Sequence, residues 1–338
     1  MRTITVENGY GLDHITITEN PIPEVGEHEV LVKVHAVSLN QLDIMVAEGI
    51  FGTPLPHVLG SDAAGVVVQV GHSVKHFAAG DRVCTHFIQG WQDGQLKAEY
   101  LKHRLGTDVN GVFAEYISLS EQALVKIPDR MSFAEASTLP IAALVAWEAV
   151  VNTIQIRPGQ SLLIQGTGGA SVFALQIGKM MGAKIIVTSG SDEKLAIARK
   201  LGADITVNYR KYPEWQQQVL ELTNGEGADA AVEMSWSELR KTAESMKLNG
   251  RIAVVGLLGG QFTEISAFPV IQKCLAIHGV QVGSKKSFED MIRAFGLNNV
   301  HPYIDRIFPM EDIPEAMEYF RTGKHIGKVV LTFLSLPI

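Results

Sequence analysis

The chain has 338 residues, 46% hydrophobic and 19% charged, with 29 Lys plus Arg against 36 Asp plus Glu and a net charge of −7. This composition excludes a disordered or collagen-like chain, and an acidic balance without a basic block argues against a nucleic-acid partner. Two cysteines, Cys84 and Cys274, are too few for a disulfide-built fold or a four-thiolate zinc site.

The length predicts two domains or one large one. Met1 to Val6 lacks an apolar signal core, and no run approaches the ~20 apolar residues of a membrane span, which predicts a soluble cytoplasmic protein without a membrane partner. Up to about residue 120 the chain reads as a turn-rich β domain. Residues 29–37 alternate as a half-buried strand does, 66–70 form a β-branched run between Gly65 and Gly71, and Gly80-Asp81 turns into 82–85. The polar stretch 89–112 predicts a surface excursion. Beyond Pro128 the texture turns helical and then alternates. Strands are predicted at 161–165, 184–188, 205–208, 228–234 and 251–255, with helices at 169–181 and 192–201 between the first of them. Short buried strands separated by helices predict βαβ units and a parallel sheet, hence an α/β fold. An acidic helix over 311–322 and a strand over 328–333 account for the last fifty residues.

Gly166-Thr167-Gly168-Gly169-Ala170-Ser171 stands where a predicted strand ends and a predicted helix begins. In a dinucleotide site the first glycine permits the tight turn and the second lets the backbone approach the pyrophosphate, which faces the helix N-terminus. Ser171 replaces the third glycine, the one that allows close helix–strand packing. Without a ligand the same segment is a plain strand–helix turn. An NAD site usually carries an acidic residue at the end of the second strand, but here Ser189 and Ser191 stand in that segment. Both can donate hydrogen bonds to a 2′-phosphate, and Lys194 supplies positive charge, which favours NADP(H). Asp192 argues the other way, and Ser189 to Asp192 also reads as a helix cap.

Further motifs carry a resemblance. Gly60-Ser61-Asp62-Ala63-Ala64-Gly65 precedes Gly80-Asp81-Arg82-Val83, Gly111 to Tyr116, and Leu139-Pro140-Ile141-Ala142-Ala143-Leu144. The glycine turn follows, then Ser191 to Lys194, Leu201 to Asp204, and Gly323-Lys324-His325-Ile326-Gly327-Lys328. In joint order and spacing the chain resembles the medium-chain dehydrogenase/reductase superfamily over essentially its whole length, closest to the zinc-independent, quinone-oxidoreductase-like branch. The resemblance implies a Rossmann-type parallel-sheet NADP-binding domain (125–285) inserted in a GroES-like β-rich catalytic domain (1–124 and 286–338).

The departures from the zinc enzymes of that superfamily bear on chemistry. Asn40 stands where they carry a cysteine ligand, Ser61 where they carry histidine, and the third ligand falls near Ala142. No metal site is therefore expected, and His57, His72, His76 and His86 read as surface or cavity-lining residues. Without zinc, hydride transfer needs an acceptor that is already electrophilic, so the expected reaction is NADPH-dependent reduction of a quinone or an α,β-unsaturated carbonyl. Asn40 is the expected active-site donor, with a turn or strand-end asparagine as the alternative. The resemblance also implies cofactor contacts from Tyr209, Arg210, Gly256, Leu257, Gly283, Ser284 and Lys328. Asp43, Asp62 and Lys328 are expected to link domains electrostatically. Phe51, Phe87 and Trp91 are apolar candidates for a substrate cleft, each equally readable as packing. A homodimer pairing near 279–282 is implied too. The alternatives are an alcohol or aldehyde oxidoreductase and a low-turnover NADP(H)-binding sensor or accessory protein.

Overall fold

A computed structural model describes residues 1–333. The chain divides into two compact units, Met1–Leu144 together with the return from Val282 onward, and Val145–Gln281.

In the first unit the strand Glu29–Ser38 is the hub. Its apolar positions are buried almost throughout, because it is covered on both faces and paired on both sides. Among the described residues its sheet has seven strands, ordered Ile304–Pro309, Lys328–Thr332, Glu29–Ser38, Ala63–Val70, Arg82–Thr85 and Leu124–Lys126, with Tyr116–Ser120 also on Glu29–Ser38. Gly65 lies where the backbones close in, since a Cβ there would sit 2.1 Å from the carbonyl oxygen of Lys33. The antiparallel register Val330↔Ser38 brings the C-terminal return beside the N-terminal segment, and Leu39 N–H donates to the Val329 carbonyl at 3.0 Å. A smaller sheet joins Arg2–Val6 to Ile15–Glu19 and His57–Val58.

The second unit holds, among the described residues, a six-stranded sheet in which every neighbouring pair is parallel. Its order is Ile205–Asn208, Lys184–Ser189, Ser161–Gln165, Ala228–Glu233, Met246–Val254, Ala276–Gly279. The first strand in sequence, Ser161–Gln165, sits inside the sheet, so the winding direction reverses there. That reversal is the switch point at which open α/β sheets bind ligands. Leu163, Ile186, Val207, Trp215, Val219, Ala231 and Ile252 form a core on one face.

The division into units falls at Leu144/Val145 and Gln281/Val282, where the sequence reading placed it at 124/125 and 285/286. The helix Phe133–Ser137 packs on the strands Glu29–Ser38 and Ala63–Val70, which keeps this stretch with the first unit. The opening hairpin, the helix Lys285–Asn298 and the strand Ile304–Pro309 were not anticipated. The helix was legible: Phe288, Met291, Ile292 and Phe295 recur at i, i+3, i+4 and i+7, and all are buried. The supposed surface excursion, 89–112, is anchored by buried Trp91, Leu105 and Val112.

Candidate functional site

The glycine turn leaves the strand at the switch point. Gly166 has φ 73°, a left-handed conformation that favours glycine, and its N–H donates to the Thr188 carbonyl at 2.8 Å. Gly168 is the N-cap of helix Gly169–Met180 and supplies no side-chain cap. A Cβ added at Gly168 would meet no described atom within 4 Å beyond its chain neighbours, and the first-turn N–H groups of the helix have no intrahelical acceptor. Buried Ser171 turns inward, its hydroxyl donating to the Gln165 carbonyl at 2.7 Å and tying the helix back to the strand. A close helix–sheet approach falls two turns later on the same face, at Gly178, where a Cβ would sit 2.6 Å from Ile185 Cδ1.

Neighbouring strand ends bring other expected residues to the same edge. Tyr209 N–H donates to the Ser189 carbonyl at 3.2 Å. A Cβ on Gly190 would lie 2.8 Å from Tyr209 Oη and 2.9 Å from Arg210 Nε, so both side chains lie over the Ser189–Ser191 turn. Ser191 Oγ accepts from Lys194 N–H at 3.3 Å, the helix-cap role its sequence position also allowed. Asp192 accepts from Asn208 Nδ2 at 2.7 Å and pairs with Lys211 at 2.6 Å, and these partners hold its carboxyl below the ordinary value. Gly256 and Leu257 follow the strand Met246–Val254, and a Cβ on Gly256 would fall 2.3 Å from the Met234 carbonyl oxygen. Beneath these turns sits Glu233, which sequence reasoning missed. Its carboxylate accepts from Gln165, Thr242 and the amides of Ser235 and Trp236, although burial pushes its pKa up. A glutamate and a glutamine ending two apolar strands were the available signal. The remaining expected cofactor residues, Gly283, Ser284 and Lys328, belong to the first unit. Gly283 accepts from His86 Nε2 at 2.9 Å, and Ser284 caps the helix Lys285–Asn298.

In the first unit, Asn40 caps the short helix Gln41–Ala47, its backbone N–H donating to Asp43 Oδ2 at 2.7 Å. Its side chain is held from both ends. Lys328 Nζ donates to Asn40 Oδ1 at 2.7 Å and to the Leu39 carbonyl at 2.7 Å, while Asn40 Nδ2 donates to Asp62 Oδ2 at 2.9 Å. An ammonium only donates and a carboxylate only accepts, so the amide has one allowed orientation, with one N–H left over. The Ser61 hydroxyl donates to Asp62 at 3.0 Å, the Ser38 hydroxyl lies 3.3 Å from it but has the Ser137 carbonyl nearer at 2.9 Å, and the Lys328 ammonium lies 3.8 Å from it. Burial pushes Asp62 up and Lys328 down from their ordinary values, and drives Asp43 up to about 8. Two carboxylates share one ammonium. Asp62, with the Asn40 amide and Ser61 hydroxyl as donors and the nearer cation, is the better placed of the two to hold the charge, while burial favours the protonated form of Asp43. The trio does not link the two units. It lies wholly within the first, where it joins the N-terminal segment to the C-terminal return, and Lys328 spends its hydrogen bonds inward at 2% exposure.

Of the apolar cleft candidates, Phe87 and Trp91 are buried, Trp91 Nε1 donating to the Gly94 carbonyl at 3.0 Å, and Phe51 is exposed. Cys84 is buried in its strand, and burial raises its thiol pKa. Burial also lowers His57, and it lowers His86 to about 4.

Residues 26–129 match the alcohol dehydrogenase GroES-like domain, and residues 169–296 match the zinc-binding dehydrogenase family. A zinc-type alcohol dehydrogenase-like protein of Schizosaccharomyces pombe is 37% identical over 98% of this chain and 99% of its own. The chain belongs to the medium-chain dehydrogenase/reductase superfamily. Human quinone oxidoreductase, another member, is 28% identical over 92% of this chain and 90% of its own. The solved structure of an NAD-dependent alcohol dehydrogenase superposes with a TM-score of 0.89 at 33% identity, over 99% of this chain and all of that one. This dehydrogenase/reductase is an oxidoreductase on a pyridine-nucleotide-binding fold, and the open cradle at Gly168 fits that cofactor's pyrophosphate. The described residues hold no group of three His, Cys, Asp or Glu that could bind a metal ion. A zinc ion at Asn40 would also stand beside the Lys328 ammonium, with no thiolate or imidazole to offset the repulsion.

Proposed function

We propose that this oxidoreductase uses NADPH to reduce a quinone or an α,β-unsaturated carbonyl without a metal ion. The observation that carries this reading is the Lys328 ammonium 2.7 Å from Asn40 Oδ1, a cation and an amide where zinc relatives place a metal ligand. Alcohol oxidation needs its alkoxide stabilised by a Lewis acid, whereas a conjugated carbonyl accepts hydride as it stands. A bound nicotinamide supplies that hydride. Asn40, 8% exposed, retains one amide N–H for the oxyanion that develops on the acceptor. Water completes the protonation.

The preference for NADPH rests on the second-strand turn. Ser189 and Ser191 offer no charge against a 2′-phosphate, Tyr209 and Arg210 lie over Gly190, and Asp192 is neutralised by Lys211. Free Cys84 and Cys274 suit a reducing cytoplasm. Among the described residues the edge strand Ala276–Gly279 pairs only with Met246–Val254, which suits homodimer formation, and no helix is long and apolar enough to cross a membrane.

A second reading, alcohol or aldehyde oxidoreduction with NAD(H), is favoured by the 33% identity to an NAD-dependent alcohol dehydrogenase. Stopped-flow oxidation of NADPH and NADH against quinones, enones and aldehydes separates the two, with metal analysis of the same preparation. Turnover of quinones or enones with NADPH in zinc-free protein is the expected result. Alcohol turnover that tracks one equivalent of zinc refutes the first reading. NADPH binding without turnover of any acceptor leaves a sensor or accessory protein.

A further inference from the structure

A cavity of about 680 Å³ opens in the first unit and shares no lining residue with the Asn40 cluster. This volume lies within the range of small-molecule sites. Its apolar side includes Phe77, Leu124 and Ile292, and its polar lining comes from one face of the helix Lys285–Asn298 and from residues facing it, Asp93, Glu121 and Lys126 among them. Two of the four charges on that helix face are already paired. Lys286 and Arg293 share Asp290, and Lys126, across the cavity, pairs with Asp81 at 2.8 Å.

Lys285 and Glu289 are different. They stand one helical turn apart and both line the cavity, yet among the described residues neither has an ion-pair partner within 4 Å, each other included. Lysine preceding glutamate is the weaker order for an i,i+4 pair, which helps leave the two unjoined. The Lys285 ammonium donates to one carbonyl, that of Glu121 at 3.2 Å, and lies 5.7 Å from the Phe77 ring centroid. Two donor positions remain unspent on a half-buried cation. Burial lowers the pKa of this lysine, against the opposing pull of the Glu289 and Glu121 carboxylates.

We propose that this cavity binds a small zwitterion with an apolar side chain, a free α-amino acid, its carboxylate on Lys285 and its ammonium on Glu289. The carboxylate and ammonium of an amino acid are close enough to span groups one turn apart, and its side chain would lie against Phe77, Leu124 and Ile292.

Calorimetric titration of the full chain with L-leucine, N-acetyl-L-leucine and L-leucinamide tests the proposal. Leucine is expected to bind, and each singly charged analogue at least about tenfold more weakly, the loss of one charge-assisted hydrogen bond. Lys285→Met should remove leucine binding, and the double exchange Lys285→Glu with Glu289→Lys should restore it. NADPH binding should be unchanged in all variants, which shows that they fold. Leucine should also slow acetylation of Lys285 by acetic anhydride, read by peptide mass mapping, without slowing that of Lys286. Absence of leucine binding, equal binding of the three ligands, or binding that survives Lys285→Met would overturn the proposal.

Discussion

Lys328 and Asn40, 288 residues apart, meet at 2.7 Å in the interior of the first unit, ammonium to amide oxygen. The contact closes a discontinuous domain. The strand Lys328–Thr332 pairs beside the end of Glu29–Ser38, and the lysine at its start reaches the first residues beyond. Removing the ammonium would leave Asp62 buried with no cation and two acceptors unpaired. Lys328→Met is therefore expected to cost about 3–5 kcal/mol, seen as a lower urea midpoint at unchanged m-value. Lys328→Arg should not restore stability, because a planar fork cannot satisfy Leu39 and Asn40 from the position of a compact ammonium. Near-wild-type stability in Lys328→Met would show the cluster to be incidental.

Asn40 is held as a donor by its neighbours, and its remaining N–H is the group assigned to the acceptor oxygen. Asn40→Ala should lower kcat by about 10²-fold, the cost of one lost oxyanion donor, while the dissociation constant for NADPH stays put. Asn40→Asp should lose as much, since a carboxylate replaces the donor. If both variants retain kcat, Asn40 is only a helix cap.

Much of the second unit was legible, and the reason is local. Its strands are short apolar runs between turns, so Ile205–Asn208 and Lys184–Ser189 could be read from composition and periodicity alone. The glycine turn was legible because its function requires particular backbone conformations. The Asn40 cluster was only half legible. Asn40, Asp43, Asp62 and Lys328 could each be named, but the direction in which Lys328 points depends on the register Val330↔Ser38, a long-range pairing that no local pattern encodes. Glu233 and the Lys285–Glu289 face were missed on similar grounds, since a charge gains its meaning from what surrounds it.

Two buried groups give opposite pH dependences. Asp43 has its pKa raised from 3.8 to about 8, so between those values the native state binds more protons than the unfolded state. Its contribution is present in acid and is lost as pH rises towards 8. His86 is lowered from 6.5 to about 4, so its contribution is present above 6.5 and is lost as pH falls towards 4. Asp43→Asn should therefore remove a fall in stability as pH rises from about 4 to about 8, and His86→Gln a fall as pH drops from about 6.5 to about 4. Urea midpoints from pH 4 to 8 check both, and an unchanged slope between pH 6.5 and 8 in Asp43→Asn would mean that the carboxyl is already ionised at neutral pH.

Cofactor choice should lie with the groups over Gly190. Arg210→Ala is expected to weaken NADPH by at least about tenfold, the value of a charge-assisted contact to phosphate, and to leave NADH nearly unchanged. Fluorescence titration of the nicotinamide reads both constants. Equal weakening for the two nucleotides would place Arg210 at the adenine or the pyrophosphate instead.

Gly168, the N-cap of the helix Gly169–Met180, and Gly178 within that helix separate binding from folding. Gly168 has ordinary backbone angles, φ −74°, and a Cβ there meets no described atom within 4 Å. Gly168→Ala should therefore fold with almost unchanged stability, but its methyl would intrude where the pyrophosphate must approach the amides. An NADPH affinity loss of about tenfold or more, about 1.4 kcal/mol, is expected. Gly178→Ala would place a methyl 2.6 Å from Ile185 Cδ1 and 2.9 Å from Leu162 Cδ2. That overpacking should cost about 1–3 kcal/mol of stability while leaving the cradle itself intact. Thermal melts and NADPH titrations on the same two proteins test this. If Gly168→Ala binds NADPH like the parent, the open space over the helix N-terminus is not where the pyrophosphate sits.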